Sequence, residues 1–136
     1  MKNIDPQKLT TALATELKKF QNIKAPSWSF YTKTGVNAER PPQQPDFWYF
    51  RSAAVLRRIY SGGPLGVSRL RTIFGGKRRR GHKPAHARKA GGKVIRLILQ
   101  QLEKENLVVK VEKPRKGRTV TPKGQRLIAK AAKVVK

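Results

Sequence analysis

The sequence predicts a mostly α-helical protein with a winged helix-turn-helix core, a small β-hairpin wing and additional helices at both ends. Apolar residues recur mainly at helical spacing, and strand-like runs occur only between residues 107 and 120. The predicted elements also follow the order helix, short helix, long helix, hairpin, helix. A chain of 136 residues, 38% of them apolar, is expected to form one domain. Within it, we distinguish an N-terminal helix and irregular segment (1–45) from the core (46–136).

A first helix is predicted from about Pro6 to Gln21. Asp5 is the expected N-cap, and proline suits the first helical position because its missing N–H would have no partner there. Four apolar residues then recur at helical spacing: Leu9, Leu13, Leu17 and Phe20.

Residues 22–45 are predicted to be irregular, because prolines and a glycine interrupt them. The alternating aromatics between Trp28 and Tyr31 leave room for a short extended stretch. A loop of this length is unusual inside a compact domain. We therefore expect either a partner surface or aromatic side chains inserted into the core to hold it in place.

The core is predicted to begin with a helix from Asp46 to Ser61 that Asp46 caps. Its apolar side consists of Phe47, Phe50, Ala54 and Ile59. A short helix from about Val67 to Phe74 follows and ends at two glycines.

The long helix after Gly91-Gly92 has the clearest amphipathic pattern. Its apolar side is predicted to contain Val94, Ile95, Ile98, Leu99 and Leu102. The opposite side contains Lys93, Arg96, Gln100 and Glu103.

Two strand-like runs follow, Leu107–Glu112 and Arg118–Val120, separated by a turn. A last helix is predicted to start at Thr121-Pro122. Its expected apolar stripe is Leu127, Ile128, Ala131 and Val134.

The charge distribution predicts a protein that binds nucleic acid. The chain has 32 Lys and Arg against 7 Asp and Glu, a net charge of +25, and the segment from Phe47 to Leu102 contains fourteen basic residues and no acidic one. A surface that served only solubility would intersperse acids, so polyphosphate is the expected counterpart. The candidate RNA-binding residues lie on the second helix, in and around a basic loop (75–89) and on the long helix: Arg51, Arg57, Arg58, Arg69, Arg71, Lys77, Arg78, Arg79, Arg80, His82, Lys83, Arg88, Lys89, Lys93 and Arg96.

Four consecutive aromatics, Phe47 to Phe50, cannot all face the same side of a helix. Core packing is the favoured interpretation. The alternative is base stacking by Trp48 or Tyr49.

The sequence does not predict an enzyme, a metal site or a cofactor. Among the seven carboxylates no acid–base pair emerges, since the neighbours Glu103 and Glu105 face different directions on a helix. His82 and His86 have ligand spacing but no third ligand nearby. The segment from Gly76 to His82 lacks the Lys-Ser/Thr pair of a nucleotide-binding loop. No cysteine is present, and no apolar run suits a membrane span or a signal peptide, so a soluble intracellular protein is expected.

Two functions remain. A winged-helix transcription regulator would use the long helix to read DNA bases, and a structural RNA-binding protein would grip folded RNA. The charge is spread along most of the chain and is densest in a loop, which favours RNA held by shape and phosphate contacts. We expect self-repulsion to keep this loop mobile until RNA binds.

Six stretches occur in the order and spacing of a known family: 33–36, 41–54, 66–71, 74–76, 98–103 and 119–124. Through them the chain resembles the small-subunit ribosomal protein nineteen family of the archaeal and eukaryotic "e" series. The order Phe47-Trp48-Tyr49 and the very basic loop at Lys77–Arg80 depart from the family pattern.

The resemblance implies a winged-helix protein in the head of the small ribosomal subunit, bound to its ribosomal RNA beside neighbouring ribosomal proteins. It also implies a role in subunit assembly and RNA maturation, as in eukaryotic relatives. Arg51, Arg57 and Arg96 match positions of the family. We expect a cytoplasmic protein that is monomeric outside the ribosome.

Overall fold

The structure is a computed structural model that describes residues 4–135 of the chain. In these residues helices predominate, which confirms the predicted mostly α-helical class. The helices are α1 (Pro6–Leu17), α2 (Phe47–Gly62), α3 (Val67–Ile73), α4 (Gly92–Lys104) and α5 (Pro122–Val135). The strands are β1 (Gly76–Arg80), β2 (Lys83–Arg88), β3 (Val108–Val111) and β4 (Gly117–Val120), which form two separate antiparallel pairs. The bounds of α2, α3, β3 and β4 agree with the predictions within one residue.

Helix α4 lies at the centre of the core. All five residues of its predicted apolar side are buried: Val94, Ile95, Ile98, Leu99 and Leu102. The helix packs against α2, α3 and β3. Each fully buried Leu or Ile side chain stabilises the fold by about 1.5–3 kcal/mol, so this face contributes a large share of the core.

Helix α1 packs against α2 and α5. Asp5 accepts a hydrogen bond from the Gln7 backbone N–H at 2.9 Å, as expected of an N-cap. The helix ends at Leu17 rather than Gln21, because the chain tightens into a turn in which the Phe20 N–H donates to Leu17 O, three residues back, at 3.1 Å.

The predicted stripe of α5 is partly wrong, because Val134 is 75% exposed. The buried row instead follows every fourth residue through Gly124, Ile128 and Ala132. At 100° per residue, Val134 lies about 120° away from Ile128 around the helix axis and so points out of the core.

The irregular segment is held by aromatic packing and one amide side chain. Trp28 meets Trp48 edge to face, with ring centroids 6.2 Å apart. Gln101 on α4 accepts from Trp48 Nε1 and donates to Lys24 O, both at 2.8 Å. Core packing of aromatics, one of the two expected explanations, therefore holds this segment in place.

The extended stretch considered around Trp28 is wrong. Residues Ser27–Phe30 form a single 3-10 turn. The turn is favoured by local side-chain hydrogen bonds: Ser29 Oγ donates to Pro26 O at 2.6 Å, and Thr32 Oγ1 donates to Trp28 O at 3.2 Å.

The start of α2 differs from its prediction in one respect. Asp46 occupies the N-cap position but makes no capping hydrogen bond, so the predicted cap is wrong. Its carboxylate instead pairs with Lys18 Nζ at 2.6 Å and ties α2 to the end of α1. Of the predicted apolar side, Phe47 and Ile59 are buried, while Phe50 and Ala54 are half-buried.

The predicted basic loop is in fact a β-hairpin formed by β1 and β2, which we call the basic hairpin (Gly76–Arg88). Its strands are paired by backbone hydrogen bonds and need no apolar side chains. Gly81, the first of two turn residues, has a φ of 68°, which suits a tight hairpin turn. The segment thus pairs with itself instead of forming an open loop, whereas its mobility in the free protein stays a prediction.

The base of the basic hairpin is fastened to the rest of the fold. Gly35 pairs with Ala90, and the Gly91 N–H donates to Thr34 O at 2.7 Å. The lack of a side chain at Gly75 lets the two backbone segments at the hairpin base come together, because a Cβ at this position would lie 2.4 Å from Arg88 O.

The second hairpin, β3–β4, aligns Val108 with Val120 and Val111 with Gly117. Leu65, between α2 and α3, adds a short third segment to it. The Leu65 N–H donates to Arg118 O at 3.2 Å, and the Arg118 N–H donates to Leu65 O at 3.0 Å. Within residues 4–135, no helix is both long and apolar enough to cross a membrane.

The substitution Gly75→Ala is expected to destabilise the protein by about 1–3 kcal/mol, because the added methyl group collides with backbone atoms that cannot move independently. Urea unfolding measures this change. Gly92→Ala is the matched control. A Cβ there meets only the Arg71 side chain, at 3.4 Å, in the first turn of α4, so stability should be unchanged or slightly increased. Equal stability of the two variants would contradict the close approach at Gly75.

Candidate nucleic-acid interface

The basic hairpin presents a cleft lined almost entirely by guanidinium groups. The register places Arg78 opposite His86 and Arg80 opposite Lys83, with an irregularity at Arg79. The cleft encloses about 250 Å³ and is lined by Arg78, Arg79, Arg80, His86 and Arg88. No carboxylate lines it. Each arginine has five N–H donors, a chemistry that is suited to phosphate oxygens.

His86 has a cationic neighbour in this cleft. Its Nε2 lies 2.8 Å from Arg80 Nη1. Its Nδ1 lies 3.2 Å from the same atom, so the edge of the imidazole ring faces this guanidinium. His82 lies in the turn and is exposed. Across the described residues 4–135 the structure contains no cluster of three or more potential metal ligands.

The acidic residues lie outside the arginine-lined cleft. In the part of the chain that the structure describes, ion pairs link Asp46 to Lys18, Glu16 to Lys19 and Lys130, and Glu103 to Arg118. Hydrogen bonds from the two lysines, at 2.8 and 3.1 Å, lower the pKa of the Glu16 carboxyl. None of these pairs includes a predicted RNA-binding residue.

Most predicted RNA-binding residues are exposed. On the basic hairpin and directly after it these are Lys77, Arg78, Arg79, Arg80, His82, Lys83, Arg88 and Lys89. On the helices they are Arg58, Arg69, Lys93 and Arg96. Lys93 Nζ lies 4.6 Å from the centroid of the Trp28 ring, so this lysine also covers an aromatic face.

Arg51 is half-buried, and its guanidinium lies 4.7 Å from the Phe74 ring centroid, at the end of α3. Burial lowers the pKa of this guanidinium, because a low-dielectric environment disfavours the charged form. Arginine nevertheless remains charged. The contact with Phe74 brings Arg51 close to the start of the basic hairpin.

Arg57 is in a different environment. It lines a groove of about 300 Å³ whose other walls come from Leu9 and its neighbours at the start of the chain, from the end of α2 and from Ile128 on α5. Its Nε is buried and has no hydrogen-bond partner among residues 4–135. The structure therefore does not bring Arg57 together with the basic hairpin.

Arg71 has a structural role that the sequence analysis missed. Its Nε donates to Ala90 O at 2.8 Å, and its own carbonyl accepts from the Ala90 N–H at 2.9 Å. These two hydrogen bonds hold the end of the basic hairpin against α3. Only the outer part of its guanidinium remains for a ligand.

The two aromatic residues considered for base stacking, Trp48 and Tyr49, are poorly placed to contact a base. Trp48 is completely buried, so it cannot stack with a base, and core packing was the favoured interpretation. Tyr49 is half-buried, and Lys18 Nζ lies 6.0 Å from its ring centroid.

The exposed aromatic near the basic hairpin is Tyr31, which sequence reasoning did not assign. Only the mixture of aromatic and basic residues at Phe30–Lys33 hinted at it.

Comparison with known proteins gives one consistent family. The family model described as Ribosomal protein S19e matches residues 1–136. A protein from Aeropyrum pernix named small ribosomal subunit protein eS19 is 47% identical over 129 residues, covering 93% of this chain and 83% of the relative. Proteins of the same name from Emericella nidulans and Mya arenaria are 40% and 38% identical, covering 98% and 93% of this chain and 89% and 83% of the relatives.

We expect amides of the basic hairpin to exchange hydrogen at least about tenfold faster than those in the middle of α4 in the free protein. Two strands without a packed face are only marginally stable, whereas α4 is buried along one side. Hydrogen exchange with and without small-subunit ribosomal RNA measures this. Protection of the hairpin should rise on binding. Strong protection already present without RNA would contradict the prediction.

Proposed function

The chain belongs to the ribosomal protein S19e family, and we propose that it takes its place in the small ribosomal subunit by clamping ribosomal RNA electrostatically. Its relatives are named as small-subunit ribosomal proteins, and a protein of this family is a structural constituent rather than an enzyme. The observation that carries the proposal is the arginine-lined cleft of the basic hairpin, which has no acidic neighbour.

The cleft supports phosphate binding through its shape as well as its charge. Arginine forks bind phosphate through two parallel hydrogen bonds, and several forks around one cleft can hold consecutive phosphates. Because ribosomal RNA is folded, its phosphates can approach a bound protein from several directions. A hairpin that projects from the core can enter between RNA segments, which suits recognition by shape.

Two further groups extend the contact surface in this proposal. Lys93 and Arg96 lie on the exposed side of α4, and Arg69 is exposed on α3. Arg51 lies near the hairpin base through its contact with Phe74. Contacts from several elements would fix the orientation of the protein on the RNA.

We also propose that α2, α3, α4 and the β3–β4 hairpin constitute a winged helix, with the basic hairpin inserted between the second and third helices. The pairing of Leu65 with Arg118 supports this, because it adds the short strand that precedes the second helix of such a fold. In a DNA-binding regulator α4 would be the recognition helix. Here the charge is spread over several elements and is densest on the basic hairpin rather than on α4, which favours folded RNA.

A role in assembly of the subunit and in maturation of its RNA follows from the same charge. The cleft is uncompensated within the described residues, so the gain from pairing it with RNA is available when the subunit forms. We propose that the chain acts in the cytoplasm, enters assembly as a monomer and then contacts neighbouring ribosomal proteins.

Competitive binding to structured small-subunit RNA and to duplex DNA, across a salt series, tests the proposal. We expect preference for the RNA at every salt concentration. The triple substitution Arg78→Ala, Arg79→Ala and Arg80→Ala should weaken RNA binding and reduce the slope of log K against log salt by about two to three, since three phosphate contacts are lost.

The matched control removes the same charge elsewhere, through Lys104→Ala, Arg126→Ala and Lys133→Ala, all at exposed positions outside the hairpin. This variant should lose much less affinity. Equal losses in both variants would leave only non-specific charge attraction. Sequence-selective binding to duplex DNA would favour the regulator instead.

A further inference from the structure

Tyr31 is an exposed aromatic ring on a fixed support. Its side chain is 82% exposed, more than any other large apolar or aromatic residue among the described exposed ones. The Tyr31 N–H donates to Trp28 O at 3.1 Å and so closes the 3-10 turn. Trp28 in turn packs against the buried Trp48. The backbone that carries the ring is thus anchored in the core while the ring remains open to solvent.

The ring borders a cleft of about 480 Å³ at the base of the basic hairpin. The residues that line the cleft include Tyr31, Lys33, Arg71 and Lys89. Three of these residues are cationic and none is acidic. Its volume is within the usual range for sites that hold small molecules, so it can accept one nucleotide.

We propose that Tyr31 is a stacking platform for an unpaired nucleobase of the bound RNA, with Lys33 and Lys89 contacting the phosphates on either side. The proposal rests on the RNA-binding function argued above and adds a subsite to it. Every base has a π face, and a tyrosine beside lysines provides both a stacking surface and phosphate partners. The cleft is continuous with the basic hairpin, since Lys89 directly follows β2.

The platform is organised before any ligand arrives. The pairing of Gly35 with Ala90 and the hydrogen bond of 2.7 Å from the Gly91 N–H to Thr34 O hold the walls of the cleft together. A site that is already shaped loses little conformational freedom on binding. A protein partner is disfavoured as the occupant by the three cations beside the ring, which suit a polyanion.

The test uses two probes of equal charge, a single-stranded uridine octamer and a ribose-phosphate octamer that lacks bases. The full-length protein should bind the uridine octamer more tightly by about fivefold or more, because stacking on an aromatic ring contributes at least this factor per base. Tyr31→Leu should bring the two affinities together, whereas Tyr31→Trp should preserve the difference.

Tyr60→Leu is the matched control, because Tyr60 is an exposed tyrosine, 42% accessible, on α2 and outside this cleft. Its variant should keep the wild-type ratio of affinities. The triple arginine variant should weaken binding of both octamers by a similar factor. Tyr31 is so exposed that its substitution should leave the unfolding transition unchanged.

The outcomes separate the two proposals. If structured small-subunit RNA is not preferred over duplex DNA, the proposed function fails and the platform with it. If that preference holds but Tyr31→Leu keeps the wild-type ratio, or weakens both octamers equally, only the platform is overturned. Equal affinity of the wild-type protein for the two octamers also overturns the platform. In that case a protein neighbour is the better candidate to cover this surface.

Discussion

The fold must be held together between Phe47 and Leu102 without a single acidic side chain. Fourteen basic residues in this stretch repel one another, so the stabilising interactions have to be neutral or come from aromatic rings. The Gln101 side chain is central, because it joins α2 through Trp48 and the irregular segment through Lys24 O. The buried face of α4 contributes a large share of the apolar core. The half-buried Arg51 lies over the ring of Phe74.

This constraint also explains where the few acids are used. Glu16 and Asp46 tie α1 to α5 and to α2, and Glu103 ties α4 to β4 through Arg118. An ion pair near the surface contributes little by itself, but these pairs fix the contacts between elements. None of these ion pairs includes a residue of the basic hairpin, whose positive charge they leave uncompensated.

The buried side of α4 could be predicted from the sequence because its apolar residues follow helical spacing without interruption. The basic hairpin could not be recognised from the apolar pattern, since almost every residue in β1 and β2 is polar or small and exposed. Gly81-His82 was the available signal, as a glycine in the first position of a two-residue turn favours a hairpin. The arginines of the cleft were identified by composition. Their convergence, and the separate environment of Arg57, depend on tertiary packing that no local pattern encodes.

In the part of the chain that the structure describes, β1 and β2 pair only with each other, so each has one free backbone edge. Free strand edges are templates for pairing with another chain and hence for aggregation. The cations along both strands make approach of a second copy costly, and Pro84 removes one backbone donor from β2. These charges therefore protect the free protein against self-association. Under the proposed function the same charges bind RNA, and an RNA that neutralised them would also cover the free edges.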